Sequence, residues 1–213
     1  MAKKEEMNLE LAPIKVNTAV FHIVGDTDLE LNKMNDPTAR ALSDARKGKA
    51  KSKEVPNYWE EVITAMHWRD GKPEEFTEDS LNDALKHNAP CITAFGFKKS
   101  LGEAVTRNGI DKYSTKIDAT INVIAKGGLI PIKFATHEIV EKLMSPKRGA
   151  PVLSKINKFS GWSADVVIQY LDTAYSIEQI TDIIRMAGFG IGIGSGRRGD
   201  GYGRYHIESV DVG

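Results

Sequence analysis

The densest concentration of chemistry in the chain is "GIGSGRRGDGYGRY", residues 192–205. Arg197, Arg198 and Arg204 carry planar guanidinium forks, which match the geometry of phosphate oxygens. Gly192, Gly194 and Gly196 permit positive φ and let another backbone come close. Successive N–H groups in such a segment can form an anion-binding concavity. Tyr202 and Tyr205 add aromatic faces on which bases stack. Together these groups suit contact with single-stranded RNA or DNA. Two further basic clusters could extend that contact. Lys47, Lys49, Lys51 and Lys53 crowd one polar segment, and Lys147 and Arg148 lie in another that also holds Lys142, Lys155 and Lys158.

Other chemistries are poorly represented. The glycine-rich stretch follows a helical pattern and precedes a strand pattern, the reverse of the context required by a Walker A loop or a dinucleotide fingerprint. Five histidines, His22, His67, His87, His137 and His206, show no metal-ligand spacing, so no metal and no cofactor is expected. His22 and His206 fall on neighbouring strand patterns and are the candidates for acid–base chemistry, though a strand histidine usually packs or hydrogen-bonds. The expected assignment is no catalytic residue. Cys91 is the single cysteine, so no disulfide can form within one chain.

Twenty-nine basic residues balance twenty-nine acidic ones, which argues against bulk-charge coating of nucleic acid and leaves local basic surfaces as the means of contact. The charged start "MAKKEEMNLE" lacks the apolar run of a signal peptide, and no stretch approaches a membrane span. A cytoplasmic protein with no membrane partner is expected.

The elements that must position these residues read as follows. Residues 14–24 are β-branched and aromatic and predict a strand. Residues 25–89 form an insertion after it. This includes a lysine-rich loop at 44–56, a helix over 57–68 capped by Asn57, and a second helix over 79–87. A helix is predicted over 91–107, opened by Pro90, with Ile92, Phe95, Leu101 and Val105 on one face. Alternation over 115–125 predicts a strand. Lys126-Gly127-Gly128 marks a turn, with 129–135 pairing back as a hairpin. Residues 136–162 form a second, polar insertion, and 163–172 a further strand. Residues 176–188 are the clearest helix, with Ser176 and Gln179 as a capping box and Gly188 as its stop. A strand over 203–212 closes the chain. Without the insertions, the order is βαββαβ. That predicts an α+β, ferredoxin-like single domain over 1–213, with a four-stranded antiparallel sheet and both helices on one face.

A fold of this order with a glycine-rich loop between its second helix and last strand resembles the RAMP superfamily. These are the RNA-binding proteins of CRISPR effector complexes and their RNA-processing relatives. The loop "GIGSGRRGDGYG", Gly192 to Gly203, is similar to the family's G-x-G-x-x-x-x-x-G-x-G pattern. The resemblance implies RNA binding, self-association along the strand or membership of a larger complex, and an inserted loop that reaches a neighbouring copy. It also implies, as alternatives, a metal-independent endoribonuclease using His22 or His206. The ending "GIGSGRRGDGYGRYHIESV" is in addition similar to uncharacterised bacteriophage proteins. That likeness implies a phage origin and, as a further alternative, an assembly factor or inhibitor of host defence that binds a protein partner.

Overall fold

A computed structural model describes residues 14–49, 55–144 and 152–213 of the chain. Its elements, in chain order, begin with β1 (Val16–Gly25), β2 (Leu29–Leu31), α1 (Asp36–Arg46), α2 (Tyr58–Thr64), β3 (His67–Trp68) and α3 (Glu78–His87). They continue with β4 (Pro90–Thr93), α4 (Ala94–Arg107), α5 (Thr115–Thr120), β5 (Ile121–Ile124), β6 (Leu129–Lys133), β7 (Thr136–Met144) and β8 (Val152–Ser160). The last are β9 (Ser163–Leu171), α6 (Ile177–Met186) and β10 (Tyr205–Val212). The architecture is mixed α and β, built on antiparallel sheets.

The larger sheet runs β10-β1-β9-β6-β4-β3, with β5 also on β9, and every pairing in it is antiparallel. β1 shows why one face is buried. Ala19, Phe21 and Ile23 point into the core, while Val20, His22 and Val24 alternate to the other side. Register carries the pattern across, since Phe21 lies opposite Val166 and His22 opposite Asp165. α4 contributes Phe97, Leu101, Ala104 and Val105 to the core, and α6, beside it, contributes Ile180, Ile183 and Ile184. The α6 capping box expected of Ser176 and Gln179 is formed. Burying apolar side chains of this size stabilises the fold by about 1.5–3 kcal/mol each, before the opposing chain entropy.

Several sequence expectations need correction. Pro90 does not open a helix. It sits in β4 opposite Trp68, and α4 begins only after Thr93, whose hydroxyl accepts from the Gly96 N–H at 3.0 Å. Residues 115–120 are helical, not extended; only Ile121–Ile124 form a strand. β5 and β6 do not make a hairpin with each other. The chain leaves the sheet at Lys126–Gly128, where Gly127 and Gly128 have φ of +62° and +71°, and returns on the same edge of β9. The first excursion is more structured than its composition suggests: α1 occupies part of the segment read as loop, and the helix expected over 57–68 ends at Thr64 and gives way to β3.

The segment expected as a polar insert is mainly the hairpin β7–β8, paired over nine residue pairs, with β2 added to its other side. β8 sends Asn157 and Phe159 to one face and Ile156 to the other, and all three are buried. Asn157 is fully buried and anchors the hairpin. It donates to the Val62 carbonyl at 2.9 Å, and its amide oxygen lies 2.9 Å from His137 Nε2. Trp162 closes the base, donating from Nε1 to the Thr27 carbonyl while its own carbonyl accepts from the Gly25 N–H, both at 2.8 Å. Among the described residues, no helix is long and apolar enough to cross a membrane.

Candidate nucleic-acid interface

The glycine-rich stretch joins α6 to β10, as its sequence context predicts, and it is an ordered wall. Gly188 does not stop the helix. The last turn widens into a π-turn over Ala187–Ile191, closed by a Gly192 N–H bond to the Ala187 carbonyl at 2.8 Å. Gly192, Gly194, Gly196, Gly201 and Gly203 all have φ between +67° and +78°, a region other residues enter only at a cost. Ile191 and Ile193 are buried, which pins the segment to the core.

The loop's hydrogen bonds run to the start of the first excursion. The Ser195 N–H donates to the Glu30 carbonyl at 2.7 Å, and the Gly203 N–H to the Asp28 carbonyl at 2.7 Å. Within the loop, Ile193 N–H bonds the Gly203 carbonyl at 3.0 Å, while Arg204 N–H donates to the Thr27 hydroxyl at 2.9 Å. These amides are consumed by the protein itself. An anion cradle made from the whole run of loop N–H groups is therefore not what the segment offers. Its contribution is a rigid, side-chain-poor wall.

That wall faces a cleft of about 300 Å³. Gly194, Ser195 and Arg197 line one side, Thr93, Gly96 and Lys99 at the start of α4 another, and Lys33 and His67 a third. Lys33, Lys99 and Arg197 give it positive charge, and the first turn of α4 adds the partial positive charge of a helix start. The lining acid is Glu30, which is 1% exposed and compensated: Lys142 Nζ donates to its Oε1 at 2.5 Å. Cys91, at the floor, is no nucleophile, because burial pushes its thiol up to about 11. Burial, with Lys33 adding to it, holds His67 below the usual histidine range, so it is neutral at neutral pH.

The expected contact residues divide sharply. Gly194 and Arg197 line the cleft, whereas Gly192 is buried behind it and Gly196 lies over Glu30 and Tyr202. Arg197 and Arg198 converge on Glu103 Oε1, at 2.9 and 3.0 Å; Arg197 is largely covered and Arg198 is open to solvent. Burial pushes the Glu103 carboxyl up, but the hydrogen bonds and charges of the two arginines outweigh it and hold the group below the usual carboxylate range. Arg204 turns inward and donates to the Arg197 carbonyl at 3.3 Å. Tyr202 lies under the Lys142 ammonium, 4.3 Å from its ring centroid. Tyr205 is a correction. It is 1% exposed, packed against Phe97 and Trp162, and no base can stack on it.

Lys47 and Lys49 follow α1 and do not line the cleft; Lys49 pairs with Asp44 at 3.0 Å. Lys51, Lys53, Lys147 and Arg148 lie outside the described residues. Lys33 is an isolated charge that carries no signal in the sequence, Lys99 reads with Lys98 as solvent-facing, and His67 reads as one of five histidines without metal-ligand spacing; the fold gathers all three at the cleft.

The two strand histidines sit away from the cleft. His22 lies between two carboxylates, with Nδ1 2.7 Å from Asp165 Oδ1 and Nε2 2.9 Å from Asp211 Oδ2. His206 Nδ1 is 2.6 Å from Asp26 Oδ1. Among the described residues, no group of three or more His, Cys, Asp or Glu side chains is placed to hold a metal ion.

No family model matches the chain, and no curated protein matches it. Among solved structures it is similar to a chain of one described as "Cryo-EM structure of the Type III-B Cmr-beta bound to cognate target RNA". The two are 12% identical, the match covers 93% of this chain and 61% of that one, and the TM-score is 0.47. This chain thus spans less than two thirds of the length of the chain it matches.

Proposed function

We propose that the protein is a non-catalytic, RAMP-like binder of single-stranded RNA or DNA, and that the strand's phosphates run through the cleft between the glycine-rich wall and the start of α4. The observation that carries this reading is the convergence of Lys33, Lys99 and Arg197 on that cleft, with its buried acid already neutralised by Lys142. The four strands β10, β1, β9 and β5, with α4 and α6, are read as a ferredoxin-like unit of 1–213, and 25–89 and 136–162 as its insertions. Arg198 and Tyr202 extend the contact beyond the cleft, and Gly192, Gly194 and Gly196 act by shaping the wall. The hairpin β7–β8 leaves Leu143, Val152 and Leu153 exposed and is the element proposed to meet a neighbouring copy.

Fluorescence anisotropy of labelled oligonucleotides across a salt series tests the reading. Each phosphate neutralised contributes about 0.7 to the slope of log affinity against log salt for a single strand. The paired change Lys33→Ala and Lys99→Ala removes two cleft charges without uncovering Glu103. It is expected to weaken binding to every sequence and to flatten the salt slope by about 1.4. The paired change Arg197→Ala and Arg198→Ala should act in the same direction. Binding and slope unchanged in the lysine pair would remove the cleft from the account.

A further inference from the structure

α4 divides its surface by helical period. Phe97, Leu101, Ala104 and Val105 face the core, and Phe95, Lys98 and Lys99 face outward. Phe95 is 76% exposed, an unusual position for a phenylalanine when an inward stripe lies two residues away. It lines a depression of about 290 Å³ with Lys98, Lys99, Gly102 and Ser114 among others; it does not line the basic cleft already described, but Lys99 belongs to both. Gly102 lets the segment carrying Ser114 pack close against α4 beside this groove: a Cβ there would come 2.7 Å from that of Ser114. Of the groove's two acids, Glu103 is held by two arginines and Asp118 accepts from the Ser114 hydroxyl at 3.3 Å; Lys98 Nζ donates to the Asp118 carbonyl at 2.9 Å. An aromatic face thus lines a groove that shares a cation with the basic cleft.

We infer that Phe95 is a base-stacking platform, and that it makes the site specific for single-stranded nucleic acid over duplex or a base-free polyanion. The inference rests on the proposed phosphate path through the cleft and adds the reading of the base. A strand passing from one groove to the other carries phosphates past Lys99 and turns a base onto the ring. Every base has a π-face, so the contact is tolerant of sequence. In a duplex those faces are already stacked and paired, and the ring cannot reach them.

The test uses the full chain, a fluorescein-labelled oligoadenylate, the same strand annealed to its complement, and heparin as a polyanion without bases. Phe95→Ala is expected to weaken binding of the single strand by about 5- to 150-fold, with heparin binding unchanged. Phe95→Trp is expected to keep strand affinity and to gain indole emission that the oligonucleotide quenches and heparin does not. Because the side chain is exposed, both variants should match the parent in melting temperature, which a thermal scan checks. Equal binding of the strand by parent and Phe95→Ala, or a parallel loss for strand and heparin, overturns the inference while leaving the cleft intact. A parent protein that binds neither probe overturns the nucleic-acid reading, and this one with it.

Discussion

His22 is a candidate for acid–base chemistry in the sequence, although no catalytic residue is assigned there. In the fold both its ring nitrogens are occupied by carboxylates from the flanking strands. Hydrogen bonds to Asp211 and Asp165 raise its pKa, and the exchange holds Asp165 below the usual carboxylate range. The sign follows from linkage. A histidine raised on folding stabilises fully below its unfolded pKa of about 6.5, and that contribution is lost as pH climbs through the folded value. His22→Gln is therefore expected to lower the melting temperature most at mildly acid pH, with the difference from the parent shrinking towards alkaline pH. Thermal melts in a constant-ionic-strength pH series check this. A gap that is flat or widens with pH would show that His22 is not charged in the folded protein. Phe95 is the converse residue: sequence periodicity placed it in the core with Ile92, yet Ile92 belongs to β4 and the inward stripe of α4 starts from Ala94 and Phe97. Only the spacing to Ile92 suggests a core position; six residues separate Phe95 from Leu101, which puts it about a third of a turn off the inward stripe.

Among the elements, the glycine-rich connection was the most legible and the least understood. Its place between α6 and β10 follows from the capping box before it and the strand pattern after it. Its conformation could not be read, because its partners Asp28 and Glu30 lie far away in sequence, in a segment that composition marks as polar and loose. The short strands were lost for a related reason: β3 and β4 have two and four residues, too few to show alternation, and exist through pairing. Gly203 shows how tight the connection is. It has φ +68°, and a Cβ there would lie 1.9 Å from the Ile193 carbonyl oxygen. Gly203→Ala is expected to cost about 2–3 kcal/mol in urea denaturation. Gly199→Ala, where a Cβ meets nothing within 4 Å, should change stability by less than about 0.5 kcal/mol. Equal effects at the two positions would mean that the wall is a loose tether.

For the molecule as a whole, zero net charge does not describe how charge is distributed once the chain folds. Lys33, Lys99 and Arg197 are gathered at the cleft by folding, and its lining acid, Glu30, is paired with Lys142. The Lys142–Glu30 contact links β7 to β2 across the smaller sheet, beside the glycine-rich wall. Lys142 Nζ also lies 3.6 Å from Asp200 and over Tyr202. Burial works against the ammonium, yet Glu30 and its neighbours hold its pKa above the usual lysine value. Removing the cation strands a buried carboxylate. Lys142→Ala is expected to destabilise the protein by about 2–3 kcal/mol, at the low end for a broken buried pair because Lys142 keeps 26% exposure. Adding Glu30→Gln should restore part of the loss, and a double-mutant cycle by urea denaturation measures the coupling. Additive losses would show that the two side chains stand independently.

The two carbonyls that hold the wall, those of Asp28 and Glu30, are two residues apart, and they set the spacing at which Gly203 and Ser195 are received. This short piece of chain works as a ruler. An insertion or deletion between its marks would shift one anchor relative to the other and tilt the wall. Variation in length is therefore forbidden at a place that looks, on composition, like the start of a permissive excursion.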